Sequence, residues 1–251
     1  MAARKSNKGI NGTPSPKEIF NFHAAARNGA RKEVAAFLDR YAAAINGKDS
    51  NGWTALIYAT RFGRRDIAAL LLDRGAAVNE KDNEGKTALM AAVEAGNRET
   101  AGLLLDRGAA VDEKDSFGRT ALMMAAGKSD DKRTVLRLLE QGAGINEKNN
   151  DDWTPLMFAA AWGRLDIIGL LLERGALIDE KNSDGETARF LAQDCGKPEA
   201  AALLKRWPEE HRQLMAERKA QALARELADY SPALKREIPA KHPLKLPPRP
   251  H

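Results

Sequence analysis

The sequence has little of what disulfide bonding, membrane insertion or catalysis needs. It holds one cysteine, Cys195, among 251 residues, which excludes an internal disulfide framework and fits a reducing compartment. No apolar run approaches the roughly 18 residues that cross a bilayer, and no charged-then-apolar segment opens the chain as in a secretory signal. We therefore expect no membrane span and a cytoplasmic location, although export as an effector stays open.

Acidic residues are missing from the first segment of the chain. Residues 1–17 contain four basic and no acidic side chains, whereas residues 205–251 contain 11 basic and 6 acidic ones. Because the whole chain has a net charge of +5, the part between these ends must be mildly acidic. We predict a disordered basic N-terminal tail over 1–17. Six prolines in 231–251 predict a Pro-rich basic tail with extended backbone.

What the sequence does contain is a repeat. Segment 49–81 matches segment 82–114 at 20 of 33 positions, and the run LLLDRGAAV at 70–78 recurs at 103–111. A fixed period of about 33 residues is typical of a stacked array, in which one unit cannot bury its own apolar side chains and must pack on its neighbours.

Each unit carries signals for two helices. Thr54 precedes the first helix as an N-cap residue, and Gly63 ends that helix because a residue without Cβ can turn left-handed at no steric cost. A second helix follows, with leucines that Gly75 terminates. The residues between Gly75 and the next threonine are too few for another helix, so they predict a hairpin-like projecting loop.

The pattern D-x-x-G-x-T-A-L-x-x-A-x-x-x-G followed by L-L-L-D-R-G-A resembles the ankyrin repeat. The resemblance implies an all-α fold, an ankyrin-type α-solenoid with hairpin-like projecting loops. We expect six repeats, which place the repeat domain at 18–206 with units at 18–48, 49–81, 82–114, 115–148, 149–181 and 182–206. Residues 207–230 predict a C-terminal helix, which either packs on the end of the stack or binds a partner.

Two repeats depart from the common pattern. The fourth is one residue longer than its neighbours in its interhelical turn, and it has Arg137 where the other interior copies have leucine. These changes predict that the fourth repeat is the weakest part of the array. The fifth has Asp152 at the glycine position of its hairpin.

The resemblance also implies where a partner would bind, because ankyrin repeats commonly use their hairpin tips and the exposed face of the first helix. Aromatic residues gather at these positions, and aromatics and arginines are the usual anchors of interfaces. The predicted partner-binding residues are Trp53, Tyr58, Arg61, Phe62, Lys86, Glu94, Phe117, Arg119, Lys128, Trp153, Phe158 and Trp162. The alternative is that the rings lie across their own hairpins or between repeats. Five recurring lysines, Lys48, Lys81, Lys114, Lys148 and Lys181, suggest a solvated ladder of charges.

No set of residues is arranged for catalysis. In a solenoid that advances about 10 Å per repeat, His23 and Cys195 would lie tens of ångströms apart, too far for a nucleophilic pair. Residues 127–129 read Gly-Lys-Ser like the end of a phosphate-binding loop, but Leu122 occupies the first glycine position of that motif. We predict no catalytic residues, no cofactor and no metal site.

We therefore expect a monomeric scaffold or adaptor that binds a protein partner and is not an enzyme. The alternative is an adaptor to nucleic acid or an anionic surface through the basic tails, which would make binding steeply salt-dependent; we expect a protein partner rather than nucleic acid. An enzymatic role remains only as the regulatory subunit or partner of an enzyme.

Overall fold

The computed structural model describes residues 13–128, 131–209 and 221. The chain divides into two compact units, 1–204 and 205–251. In the second unit the described residues are 205–209 and Gln221, and all of them are helical. The Pro-rich tail 231–251 and most of both the basic N-terminal tail and the predicted helix 207–230 lie outside the described residues.

The first unit is built of helices joined by short turns. The helices are α1 (Pro16–Asn28), α2 (Arg31–Arg40), α3 (Ala55–Arg61), α4 (Arg65–Asp73), α5 (Ala88–Ala95), α6 (Arg98–Asp106), α7 (Ala121–Lys128), α8 (Lys132–Glu140), α9 (Pro155–Ala161), α10 (Leu165–Glu173) and α11 (Ala188–Asp194), with a 3-10 turn at Ala42–Ala44. A further helical stretch covers 198–209. In the described ranges, extended pairing is limited to isolated bridges such as Lys81 with Thr87.

Two boundaries differ from those predicted. Helix α1 begins at Pro16, inside the tail predicted to reach residue 17, because the Ser15 side chain caps the helix and the Ser15 amide donates to the Glu18 carboxylate at 2.8 Å. The helical stretch 198–209 runs through Pro208, where a separate helix was predicted to start. The helix is already under way at residue 198, so proline here does not mark a beginning.

Threonine starts the first helix of each interior pair. The hydroxyl oxygen of Thr54 accepts a hydrogen bond from the Ile57 amide at 3.3 Å, and Thr87 does the same for Met90. Each bond satisfies one of the amides that a helix start leaves unpaired. The predicted N-caps are therefore present.

The repeats bury their apolar side chains against one another. The first helices pack in sequence, α1 on α3, α3 on α5, α5 on α7, α7 on α9 and α9 on α11, and the second helices do likewise from α2 to α10. Leu56, Leu89, Leu122 and Leu156 form a buried row along the first helices. This confirms the predicted all-α solenoid, while the repeat boundaries and the count of six stay a prediction.

The hairpin loops are joined from one repeat to the next. The Asn83 amide donates to the Asn51 carbonyl at 3.0 Å, Ser116 to Glu84 at 2.8 Å, Asn150 to Phe117 at 3.1 Å and Ser183 to Asp151 at 3.1 Å. Within each loop an Asp or Asn side chain accepts two backbone amides, as Asp49 does from Asn51 and Trp53 at 2.8 Å each. The loop tips therefore form a continuous hydrogen-bonded edge.

The side chains of the lysine ladder stay largely exposed, and the ladder also links successive repeats, which the sequence did not indicate. The ammonium of Lys48 donates to the Lys81 carbonyl at 2.8 Å and pairs with Glu80 at 2.8 Å. Lys81 makes the same two contacts to the next repeat, and so do Lys114 and Lys148. The period of the chain brings these four lysines to a main-chain carbonyl of the next copy, so the column links repeats.

The search for membrane-spanning segments covered the described residues, and none of their helices has the length and apolar character to cross a bilayer.

Candidate functional site

The twelve predicted binding residues lie on the hairpins and on the last turns of the first helices, and none of them is buried. Phe117 is 57% exposed, Trp162 60% and Phe62 40%. Lys128 is also exposed, and the other eight are half-buried. The structure divides these residues into two groups, around Trp53 and around Trp162.

The group around Trp53 packs within its own part of the solenoid. The Trp53 ring meets Tyr58 edge-on at 5.0 Å between centroids, and the Tyr58 hydroxyl donates to Asp49 at 2.8 Å. Burial, together with this bond to a carboxylate, raises the pKa of Tyr58 to about 12. The Arg61 guanidinium lies 5.5 Å from the centre of the Trp53 ring. Both aromatic rings are thus partly covered by neighbours of the same repeat.

Phe62 is covered from the preceding repeat, because the Arg27 guanidinium lies 4.7 Å from the centre of its ring. Such cation–π contacts at exposed sites contribute about 0.5–1 kcal/mol. A partner that bound Phe62 would have to displace Arg27.

The charged residues between the two groups pair with each other. Glu94 accepts from Arg61 at 3.0 Å and lies 3.3 Å from the Lys86 ammonium, which also pairs with Glu84 at 3.1 Å. Burial alone would raise the pKa of Glu94, but the ion pairs with Lys86 and Arg61 outweigh it and lower the pKa. These charges are compensated inside the protein, so a partner would compete with existing ion pairs there.

Arg119 is also engaged. It pairs with the buried carboxylate of Asp115 at 2.7 Å, and its guanidinium lies 4.9 Å from the centre of the Phe117 ring. Phe117 therefore stands at the loop tip with one face against Arg119 and the rest exposed.

The group around Trp162 forms a groove of about 450 Å³ across three consecutive repeats. We call it the Trp162 groove, and its lining residues are Glu94, Arg119, Met123, Met124, Gly127, Lys128, Phe158, Trp162 and Arg164. Five of these were predicted from the sequence: Glu94, Arg119, Lys128, Phe158 and Trp162. Trp153 lies behind the groove, with its ring 5.3 Å from that of Phe158.

One position in the lining of the groove, Gly127, carries no side chain. A Cβ atom on Gly127 would lie 3.1 Å from Cδ1 of Trp162 and 3.6 Å from Cδ1 of Phe158. The absence of that atom lets Trp162 of the fifth repeat lean against α7 of the fourth. Trp162 thus touches the neighbouring repeat, as the alternative interpretation held, yet more than half of its surface stays exposed.

Sequence reasoning missed Met123, Met124, Gly127 and Arg164 as lining residues. The signal was present in the aligned repeats, since Met124 stands where Tyr58 and Phe158 stand, and Gly127 where Arg61 and Ala161 stand. Arg164 lies one turn further on, and its guanidinium donates to the main-chain carbonyls of Gly127 and Lys128 at 3.3 and 3.1 Å. A flexible methionine at a position that is aromatic in other repeats, next to a glycine at a position that is arginine in another repeat, predicts a groove in the surface.

A second cavity of about 710 Å³ lies over the first repeat. Its lining includes His23, Lys48, Asp49 and Tyr58, so Tyr58 is the one predicted site residue that it shares. The Nε2 atom of His23 lies 2.9 Å from the Gly47 carbonyl, and the ring stacks on Tyr58 at 5.4 Å.

The described residues contain no group of three or more His, Cys, Asp or Glu side chains that could hold a metal ion. Cys195 is exposed, and it occupies the slot of Phe62 and Trp162 in the last helix pair.

Comparison with known proteins agrees with the geometry. The family model for ankyrin repeats, which describes three copies, matches residues 22–115, 75–149 and 122–215. No curated protein sequence matches the chain. The three family matches overlap and together run over most of the chain, and they fall on the stacked helix pairs and hairpin loops described above. The resemblance predicted from the sequence is thus confirmed, and the chain belongs to the ankyrin repeat family.

Proposed function

We propose that this chain is a protein-binding scaffold or adaptor, without catalytic activity of its own, that works as a cytoplasmic monomer. Ankyrin repeats generally serve as protein–protein interaction modules. The partner would bind on the face formed by the hairpin tips and the ends of the first helices. Nucleic acid and anionic surfaces are the alternative partners, and no observation on the described residues favours them.

One observation carries the proposal: the Trp162 groove collects aromatic and cationic side chains from two consecutive repeats on this face, together with Glu94 of the repeat before them, and Trp162 and Lys128 among them are exposed. An exposed indole costs free energy in water unless something covers it. Tryptophan and arginine are also the residues that most often contribute the binding free energy of an interface. The combination favours a protein surface as the occupant of this face.

The test is affinity capture with the full chain and two matched variants, followed by quantitative mass spectrometry. In the face variant, Phe62, Phe117 and Trp162 are replaced by alanine. In the control variant, Leu165 and Leu177 are replaced by alanine, because they are also exposed, at 37% and 52%, and are not among the predicted binding residues.

We expect a partner that the wild-type chain and the control variant capture equally and that the face variant loses. Captured proteins that are identical for all three would contradict the assignment of this face. Capture that nuclease treatment abolishes would instead favour the nucleic-acid alternative.

A further inference from the structure

The Trp162 groove differs chemically from the rest of the binding face. Around Trp53, charges and rings already contact each other. In the groove, four apolar side chains, those of Met123, Met124, Phe158 and Trp162, line the space. Methionine side chains adapt to the shape of what they contact, so this lining suits an inserted apolar side chain.

The rim of the groove carries three cationic side chains, Arg119, Lys128 and Arg164, of which Arg119 is already paired with Asp115. It carries one carboxylate, that of Glu94. That carboxylate is already paired with Arg61 and Lys86. The Lys128 ammonium donates to the main-chain carbonyl of Glu94. Among the residues that the structure describes, no carboxylate lies within ion-pair distance of Lys128.

Resting on the function proposed above, we propose that the Trp162 groove binds an acidic, apolar linear segment of the partner protein. Its apolar side chain inserts between Met124, Phe158 and Trp162. An Asp or Glu beside that side chain pairs with Lys128.

The size of the groove limits the occupant. A volume of about 450 Å³ lies in the lower half of the range of about 300–1,000 Å³ that is usual for pockets enclosing a drug-sized molecule. Such a space takes one or two side chains of an extended segment. A helix or other folded surface of a partner would contact the rim of the groove but would not reach the apolar side chains inside it.

The test selects short random peptides displayed on phage against the full-length chain. The affinities of the selected peptides are then measured by fluorescence anisotropy for the wild type and for four variants: Trp162→Ala, Gly127→Ala, Lys128→Glu and Leu177→Ala. A single-stranded thymidine oligonucleotide is titrated in parallel, since bases also stack on an exposed indole beside cations.

We expect selected peptides that combine Asp or Glu with Leu, Met, Phe or Trp. Trp162→Ala should weaken their binding about 30-fold, as for an interface anchor, and Lys128→Glu should weaken it about tenfold through like-charge repulsion. Gly127→Ala should also weaken binding, because the new Cβ narrows the groove. Leu177→Ala should leave the affinity unchanged.

Three outcomes would overturn the proposal. Peptides that bind Trp162→Ala and Gly127→Ala as tightly as the wild type would place the site elsewhere. Selected peptides rich in Lys or Arg, or an oligonucleotide that binds through Trp162, would refute the acidic-peptide chemistry. If no peptide is selected, the groove has no linear ligand, whereas the capture experiment still decides the proposed function.

Circular dichroism of each variant separates loss of binding from loss of folding. Should Trp162→Ala unfold, Gly127→Ala and Lys128→Glu decide the outcome. Both change the groove without removing a packed ring, and alanine is a better helix former than glycine at position 127.

Discussion

The guanidinium group of Arg137 lies over Gly102 of the preceding repeat, so closely that a Cβ atom on Gly102 would be 2.6 Å from Nη1. Arg137 also pairs with Asp106, one turn further along the same helix as Gly102. The fourth repeat thus holds an arginine where its neighbours hold leucine because the third repeat holds a glycine that makes room for it.

The ion pair between Arg137 and Asp106 takes the place of an ion pair that the preceding repeats form with an arginine at a different position. Arg107 pairs with Asp73 at 2.8 Å and Arg74 with Asp39 at 2.9 Å, each linking a second helix to the one before it. The equivalent position in the fourth repeat is Gln141, which cannot form an ion pair. Arg137, one turn earlier in α8, forms it instead.

We predict that Gly102→Ala stabilises the protein less when Arg137 is present than when it is absent. Alanine in a helix is favoured over glycine by about 1 kcal/mol, but in the wild type its Cβ must displace Arg137 and weaken an exposed ion pair that contributes about 0–1 kcal/mol. Urea unfolding of Gly102→Ala, Arg137→Ala and the double variant measures this coupling. An equal gain from Gly102→Ala in both backgrounds would show that the two residues are independent.

We predict that Asp152→Gly stabilises the fifth hairpin by about 0.5–1 kcal/mol. Within the described residues Asp152 alone adopts a positive φ, of 60°, without being glycine. Its equivalents are Gly52, Gly85, Gly118 and Gly185. Thermal unfolding of Asp152→Gly and of Asp152→Ala makes the comparison, since alanine keeps the strain and loses the 3.1 Å hydrogen bond from Ser183. Equal stability of the two variants would argue against backbone strain here.

We predict that stability falls when the pH drops below about 6.5, because His23 is 4% exposed. Burial lowers the pKa of His23 from its ordinary 6.5, although the Gly47 carbonyl and Asp49 oppose the shift. The unfolded chain then binds the proton first. Stability is full above the unfolded pKa and decreases, by at most about 1.4 kcal/mol per pH unit, as the pH falls through the folded pKa.

Carboxyl groups near His23 should not obscure this effect. The hydrogen bond from Tyr41 is the largest influence on Glu18, and its pKa is lowered to about 2. Asp49 also titrates below its ordinary value, because bonds to Trp53 and Tyr58 outweigh burial. Urea unfolding between about pH 5 and 8 should show a slope for the wild type that His23→Gln removes. The same slope in both proteins would assign the effect to another group.

Replacement of Trp53 and replacement of Trp162 by alanine should have different effects on the stability of the fold. Trp53 is half-buried against Tyr58, so we expect Trp53→Ala to cost about 2 kcal/mol, less than the 3–5 kcal/mol of a fully buried aromatic. Trp162 is 60% exposed, and Trp162→Ala should cost about 1 kcal/mol or less. Urea unfolding measures both. A larger loss for Trp162→Ala would make that ring a packing residue.

The fourth repeat should exchange its amide protons faster than the third. Arg137 keeps 43% of its side chain exposed, whereas Leu103 at the same slot is 8% exposed. In a nearest-neighbour array a weaker interface lowers stability locally. Hydrogen exchange read by mass spectrometry compares residues 115–148 with 82–114, and protection in 115–148 that equals or exceeds that in 82–114 would refute the prediction.

The fold could be predicted from the sequence because each helix end is set by residues next to it in the chain. Thr54 and Gly75 set helix ends through backbone conformation, and the period then forces one unit to stack on the next. The link that the lysine column makes between repeats was not predicted, because it depends on the register between copies: Lys48 meets the Lys81 carbonyl only once the hairpins are aligned.

The candidate site was harder to predict than the fold. The exposure of Phe117 and Trp162 was predicted from their positions in the repeat, but the close approach of Trp162 to Gly127 of the preceding repeat was not. The pairing of Glu94 with Arg61 and Lys86 joins residues of two repeats. Such contacts between repeats are set by rotamers and by distances of a few ångströms, which a list of exposed slots does not contain.

The hydrogen-bonded edge of hairpin tips has a consequence for how this chain can change. The extra residue of the fourth repeat falls between Lys128 and Asp131, yet Asn150 still bonds to Phe117 and Lys114 still reaches the Lys148 carbonyl. Added length in an interhelical turn is therefore absorbed where it occurs. The same addition in a hairpin would displace that loop from the bonds that it makes to the loops on either side. We therefore expect insertions, whether acquired in evolution or engineered as labels, to be tolerated better in the interhelical turns than in the hairpins.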